Sequence, residues 1–243
     1  MTPTLIFRDK FREAELKTLC TAVLDNFQLP TQSLVCIFDD KERPEFLDTP
    51  QIGPNFCGFH NPVRQFRFQG VPWPPELRAH LWDTQRKEFA FDAVIYMRKR
   101  TCDSDIGTVI TFGHGLQHFL QYGSQYKAWR ASQFIANIAA PKLVNSRPWS
   151  FPHEHQAQLV AKRVAETVLG PANVQSYAKE QAAHRGDREK WLFFLSVDAS
   201  KAYNLTEETN IWVEEYRAEL IERHSYLATK PHEPNFSSPR WWE

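Results

Sequence analysis

The stretch that most constrains this chain runs from Asp105 to Gly123, DIGTVITFGHGLQHFLQYG. Ile106, Val109, Ile110, Leu116, Phe119 and Leu120 recur at helical spacing, while Gly107, Thr111, His114, His118 and Gln121 fall at steps of three and four along one stripe. Asp103 or Ser104 can act as N-cap and Gly123 as C′ residue. Two imidazoles therefore sit one turn apart on a helix with a large apolar surface. Burying both without partners would cost a few kcal/mol, so something must satisfy them. A divalent metal ion would do so.

The spacing is that of HExxH, in which neutral imidazoles at i and i+4 hold zinc and the Glu after the first His handles a proton. Here the five residues are His114-Gly115-Leu116-Gln117-His118. Both ligands are present, and Gly115 stands where the general base would be. Glycine in a helix interior costs about 1 kcal/mol relative to alanine. Gly113 and Gly115 together therefore imply that a strand, a ligand or a neighbouring side chain packs very close.

Composition narrows the partners. Lys plus Arg and Asp plus Glu both number 29 in 243 residues, so net charge makes no case for nucleic acid or an anionic membrane. An apolar fraction of 42% with 14% aromatics points to a packed globular chain with one sizeable core. Cys20, Cys36, Cys57 and Cys102 form no C-x-x-C pair and lie in or beside apolar segments, as expected of buried reduced thiols in a cytoplasmic protein. MTPTLIFRDKFREAEL turns charged within a few residues, unlike a signal peptide, and no apolar run reaches the roughly 20 residues that a membrane span needs.

In chain order, Thr4 to Phe7 reads as a strand, Phe11 to Phe27 as an amphipathic helix ended by Leu29-Pro30, and Ser33 to Phe38 as a second strand. Asp39 to Pro54 reads as a loop. Asn55 to Gln69 reads as a hairpin turning at His60-Asn61-Pro62, and VPWPP leads into a short helix with Leu77, Leu81 and Trp82. Phe89 to Met97 is strand-like and delivers the chain into the two-histidine helix.

Beyond that helix the pattern is helical: Gln125 to Ala140, then HEHQAQLVAKRVAETVLG opening at Phe151-Pro152 and closed by Gly170-Pro171, then Ala172 to His184. An aromatic segment, Trp191 to Val197, follows. A last helix is expected from Thr206 to Leu227, capped at Thr206, and the Pro-rich tail from Thr229 carries Trp241 and Trp242. Glu154 in a first helical turn suits the helix dipole, which is its bland explanation. No G-x-S-x-G, no catalytic cysteine context and no phosphate-binding glycine loop is present.

The order of the strands around GFHNPVRQFRF, strand FDAVIYM, the helix with GHGLQHF and a later helix opening on an acidic residue resembles the zincin metallopeptidases. It looks most like the compact gluzincin-like groups of the ImmA/IrrE type. The likeness covers about Ser33 to Gly170, and only GHGLQHF within it is specific. It implies that His114 and His118 ligate zinc and that a carboxylate from a following helix completes the site. Two registers compete for that position, Glu154 or Gln156. Glu154 is the better zinc ligand, with His153 and His155 as substitutes. His155 could equally sit behind the ligands.

The same resemblance places His60 and Tyr122 along a substrate groove, where an edge strand pairs with a peptide's main chain. An ordinary turn histidine is the plainer account of His60. With Gly115 in place of Glu, hydrolysis is expected to be lost or impaired unless Glu154, Tyr122 or Tyr96 replaces the missing base, since such a group supplies about 10²–10⁴-fold in rate. Restoring glutamate at Gly115 should raise peptidase activity if the remaining site is intact.

The expected architecture is α+β: a small mixed or mainly antiparallel sheet packed on the HxxxH helix, with a helical C-terminal half. Residues 1–170 would form the zincin-like metal-binding domain and 171–243 a helical extension. The expected function is that of a zinc-binding pseudo-peptidase that retains peptide or protein binding. The competing expectation is a metal-free structural or interaction protein with His114 and His118 in its core.

Overall fold

The structure, a computed structural model, describes residues 2–31, 33–40, 58–62, 82–83, 88–89, 92–139, 148–184 and 188–228. The chain divides into two compact units: Met1–Leu120 with Val160–Tyr177, and Gln121–Leu159 with Ala178–Glu243.

The first unit is built on a mixed sheet of strands β1 (Thr4–Phe7), β2 (Leu34–Phe38), β3 (Gly58–Pro62) and β6 (Ala93–Met97), in the order β1-β2-β6-β3. β1 pairs with β2 and β2 with β6 in parallel; only β3 runs antiparallel, against β6. The expectation of a mixed sheet holds, but the mainly antiparallel alternative does not. Helix α1 (Glu13–Leu24) connects β1 to β2, the crossover that parallel neighbours need. Every residue of β2 and β6 is buried, as in parallel strands covered on both faces.

At the ends of these strands lies a buried ion pair. Arg8 Nη1 donates to Asp39 Oδ2 at 2.6 Å, and the Tyr96 hydroxyl donates to the same oxygen at 2.5 Å. One carboxylate thus joins the residues that follow β1 and β2 to a side chain of β6.

His60, Asn61 and Pro62 form no turn. They pair with Ile95, Val94 and Ala93 inside β3, and Pro62 is tolerated because it ends a strand at one end of the sheet order. Trp82 lies in β4 (Trp82–Asp83), which pairs with β5 (Glu88–Phe89), not in a helix. Aromatic residues favour such extended pairs. The expected strand at Gln65–Phe68, the VPWPP link, Leu77, Leu81, Cys57 and the tail with Trp241 and Trp242 lie outside the described residues.

After the single turn α2 (Lys99–Cys102) comes α3 (Asp105–Ser124), the two-histidine helix. Ser104 Oγ accepts from the Gly107 amide at 3.2 Å, so Ser104 caps it. Gly123 lies within the helix and not beyond it, since the backbone stays helical through Ser124. α3 packs on the sheet: the Phe38 and Phe112 rings meet edge to face with centroids 5.6 Å apart. A Cβ added at Gly115 would meet Ile95 Cγ2 at 3.2 Å and Cδ1 at 3.3 Å. At Gly113 it would lie 3.6 Å from the Ala161 Cα on α5 (Pro152–Leu169). A strand and a helix are thus the close neighbours that the two glycines accommodate. α5 closes at Gly170, whose φ of +83° is the left-handed geometry that glycine adopts without penalty.

The second unit is helical. α4 (Tyr126–Ala139) packs against α8 (Leu205–Glu215), and Ile135, Phe151, Val213 and Leu220 form one core cluster there. Ala128, Trp129 and Leu205 form another. α6 (Pro171–Ala183) begins in the first unit and enters the second at Ala178, where α7 (Arg188–Ser196) and α9 (Arg217–Ala228) complete the helices. Two expectations change. The last helix is split at Tyr216, whose backbone leaves helical geometry at φ −103° and ψ 20°. Its cap is Asn204, whose Oδ1 accepts from the Thr206 and Glu207 amides at 3.1 and 3.3 Å.

Candidate metal centre

Helix α3 presents one half-exposed stripe, Thr111, His114, His118 and Tyr122, between otherwise mostly buried positions. The two histidines are on it because a helix returns to the same face after three or four residues. Neither ring is fully buried. Their Nε2 atoms approach to 2.9 Å, with ring centroids 4.5 Å apart and planes at 83°. The rings converge on one point instead of diverging.

A third donor joins them. A carboxylate oxygen of Glu154, in the first turn of α5, and one nitrogen from each of His114 and His118 all lie within 4.8 Å of one another. The Glu154 side chain is 29% exposed. No other group of three such donors close enough for a metal occurs among the described residues.

These side chains fit a metal ion. Two imidazoles and a carboxylate are a donor set typical of zinc sites that keep a fourth position open. Zn–N bonds of about 2.0–2.1 Å at a tetrahedral angle put the two nitrogens about 3.3 Å apart, so an ion would widen the observed pair by only a few tenths of an ångström. The same 2.9 Å also allows one Nε2–H to donate to the other ring, which needs no ion.

The neighbours of Glu154 have other occupations. Gln156, the competing register, accepts at Oε1 from Gln121 Nε2 at 2.8 Å and donates through Nε2 to the Tyr203 carbonyl at 3.4 Å. His155 packs on the rings of Phe193 and Tyr203, and burial pulls its pKa below the ordinary histidine value. His153 is 6% exposed; its Nδ1 lies 2.7 Å from Ser132 Oγ and its Nε2 lies 3.6 Å from Glu154 Oε1.

Of the residues considered as a replacement base, Tyr96 is 1% exposed and hydrogen-bonded to Asp39, with a pKa raised by burial first and by that bond second. A proton there is held, not offered. Tyr122 lies one turn beyond His118, its ring edge-on to Tyr126 at 5.6 Å and Trp129 at 5.4 Å. His60 occupies the middle of β3, opposite Ile95 in register.

Sequence reasoning missed Ser132 and the part played by Gln121. Ser132 carries no local signal, being one small polar residue in a helical run. Gln121 was visible on the histidine stripe, but its partners lie more than 30 residues away, at the His153 carbonyl and Gln156. No family model, curated protein or solved structure matches the chain.

Proposed function

We propose that the protein is a zincin-like zinc-binding protein with impaired or lost peptide hydrolysis, which binds a peptide or protein segment beside the metal. The observation that carries this reading is the approach of His114, His118 and Glu154 within 4.8 Å of one another. Zinc is favoured over harder cations because two of the three donors are imidazoles.

Bound there, zinc would supply Lewis acidity to a carbonyl oxygen. The chain's own residues supply the rest. His114 and His118 would hold the ion through ring nitrogens, and Glu154 would add negative charge that offsets part of its own. Gly115 can neither take nor deliver a proton, and Tyr96 is committed to Asp39. That leaves binding without efficient turnover.

β3 supports the binding half of the proposal. Among the described residues it stands at the end of the sheet order next to β6, and an antiparallel end strand can pair with an extended peptide through its main chain. His60 in that strand and Tyr122 on the histidine stripe are the proposed groove residues.

The second reading is metal-free, with the 2.9 Å contact between the rings as a structural hydrogen bond. A competitive zinc titration against a chromophoric chelator separates the two. Wild-type protein should withdraw one equivalent of zinc, and the His114→Ala, His118→Ala double variant should withdraw none. Peptidase assays of the zinc-loaded protein should stay near the blank. Equal behaviour of wild type and double variant would establish the metal-free reading.

A further inference from the structure

The polar contacts behind Glu154 form an ordered set that nothing in the proposed function uses. We infer that His153 positions the Glu154 carboxylate for metal binding and is itself held in one tautomer by Ser132. The inference rests on the metal reading above and adds residues to it.

Ser132 on α4 is 0% exposed. Its Oγ accepts from the His153 main-chain amide at 3.1 Å and lies 2.7 Å from His153 Nδ1. A serine hydroxyl has one proton to give. Its oxygen accepts from the amide, and among the described residues Nδ1 is the one acceptor within hydrogen-bond reach of that proton, so the buried hydroxyl is satisfied when Nδ1 is the unprotonated ring nitrogen. The hydrogen of the neutral imidazole is left on Nε2. That nitrogen faces Glu154 Oε1 at 3.6 Å.

The backbone is fixed as well. Gln121 Nε2 donates to the His153 carbonyl at 2.8 Å and to Gln156 Oε1 at 2.8 Å, so one buried carboxamide ties together the first turn of α5. The imidazole therefore has little freedom to turn away.

Closing the gap by about 0.7 Å brings Nε2–H and the carboxylate to the usual length of a charge-assisted hydrogen bond. One carboxylate oxygen would then be held by His153 while the other turns to the ion. A partner behind a ligand is worth about 10–100-fold in metal affinity. Burial of Ser132 rules out a nucleophilic part for this Ser–His–Glu set, since substrate cannot reach the hydroxyl.

Cobalt titrations of the full chain, followed by visible absorption, test the inference. His153→Phe should weaken Co²⁺ binding about 10–100-fold and change the band shape, because the carboxylate is no longer held in one orientation. His153→Gln, which returns an N–H near the place of Nε2, should recover most of the loss. Ser132→Ala should lose a smaller part, about threefold to tenfold, while keeping the wild-type far-UV circular dichroism. Should His153→Phe fail to fold, Ser132→Ala and His153→Gln still decide. Wild-type affinity and spectrum in all the folded variants would overturn the role of His153 and leave the metal centre standing. Failure of the wild-type protein to bind cobalt or zinc would overturn both.

Discussion

Gly115 carries no group that could take or deliver a proton, and its surroundings leave little room for one. In the sequence it stands where the HExxH pattern has its glutamate. In the structure its Cα faces Ile95, and the first atom of any side chain would come within 3.2 Å of Ile95 Cγ2. Gly115→Glu therefore requires Ile95 to give by a few tenths of an ångström, and where the packed strand resists, overpacking costs about 1–3 kcal/mol. The expected outcome in denaturant unfolding is a clear destabilisation, relieved when Ile95→Ala is added. Gly113→Ala should behave oppositely. Its Cβ would make only ordinary contacts from 3.6 Å outward, so the better helix propensity of alanine should stabilise by up to about 1 kcal/mol. If both glycines respond alike, close packing of the strand on position 115 is wrong.

At the scale of elements, what was legible followed the range of the interactions. The two-histidine helix, α1 and the strands at Thr4–Phe7 and Ser33–Phe38 could be read because periodicity and apolar runs are local. The turn proposed at His60–Pro62 failed because Asn and Pro signal a turn, whereas pairing with β6 settles them as strand. The parallel direction of β2 and β6 has a signal in the sequence: LVCIF and AVIYM are unbroken apolar runs, not alternating ones. Glu154 was reachable through the family resemblance, with Gln156 as the competing register, whereas Ser132 carries no signal in the sequence. The ion pair after β1 and β2 was not legible either, and it gives these elements their own test. Arg8→Met takes one hydrogen-bonded cation from the Asp39 carboxylate, which is 0% exposed, and should cost up to about 3–5 kcal/mol in chemical denaturation. Adding Asp39→Asn should return part of that loss. A cost below about 1 kcal/mol for Arg8→Met would mean that the pair does not hold the strand ends together.

For the whole molecule, no helix among the described residues is long and apolar enough to cross a membrane. The second unit carries two apolar clusters of its own. A ligand that binds only the folded chain stabilises it by mass action, by about 2.7 kcal/mol at a hundredfold excess over Kd. Zinc should therefore raise the melting temperature of the wild-type chain and leave the His114→Ala, His118→Ala variant unmoved. The most direct measurement is elemental analysis of protein purified without added metal and without chelator. The expected result is close to one zinc per chain, lost in the double variant; wild-type protein with no bound metal, and none taken up on dialysis against zinc, would contradict the proposed centre.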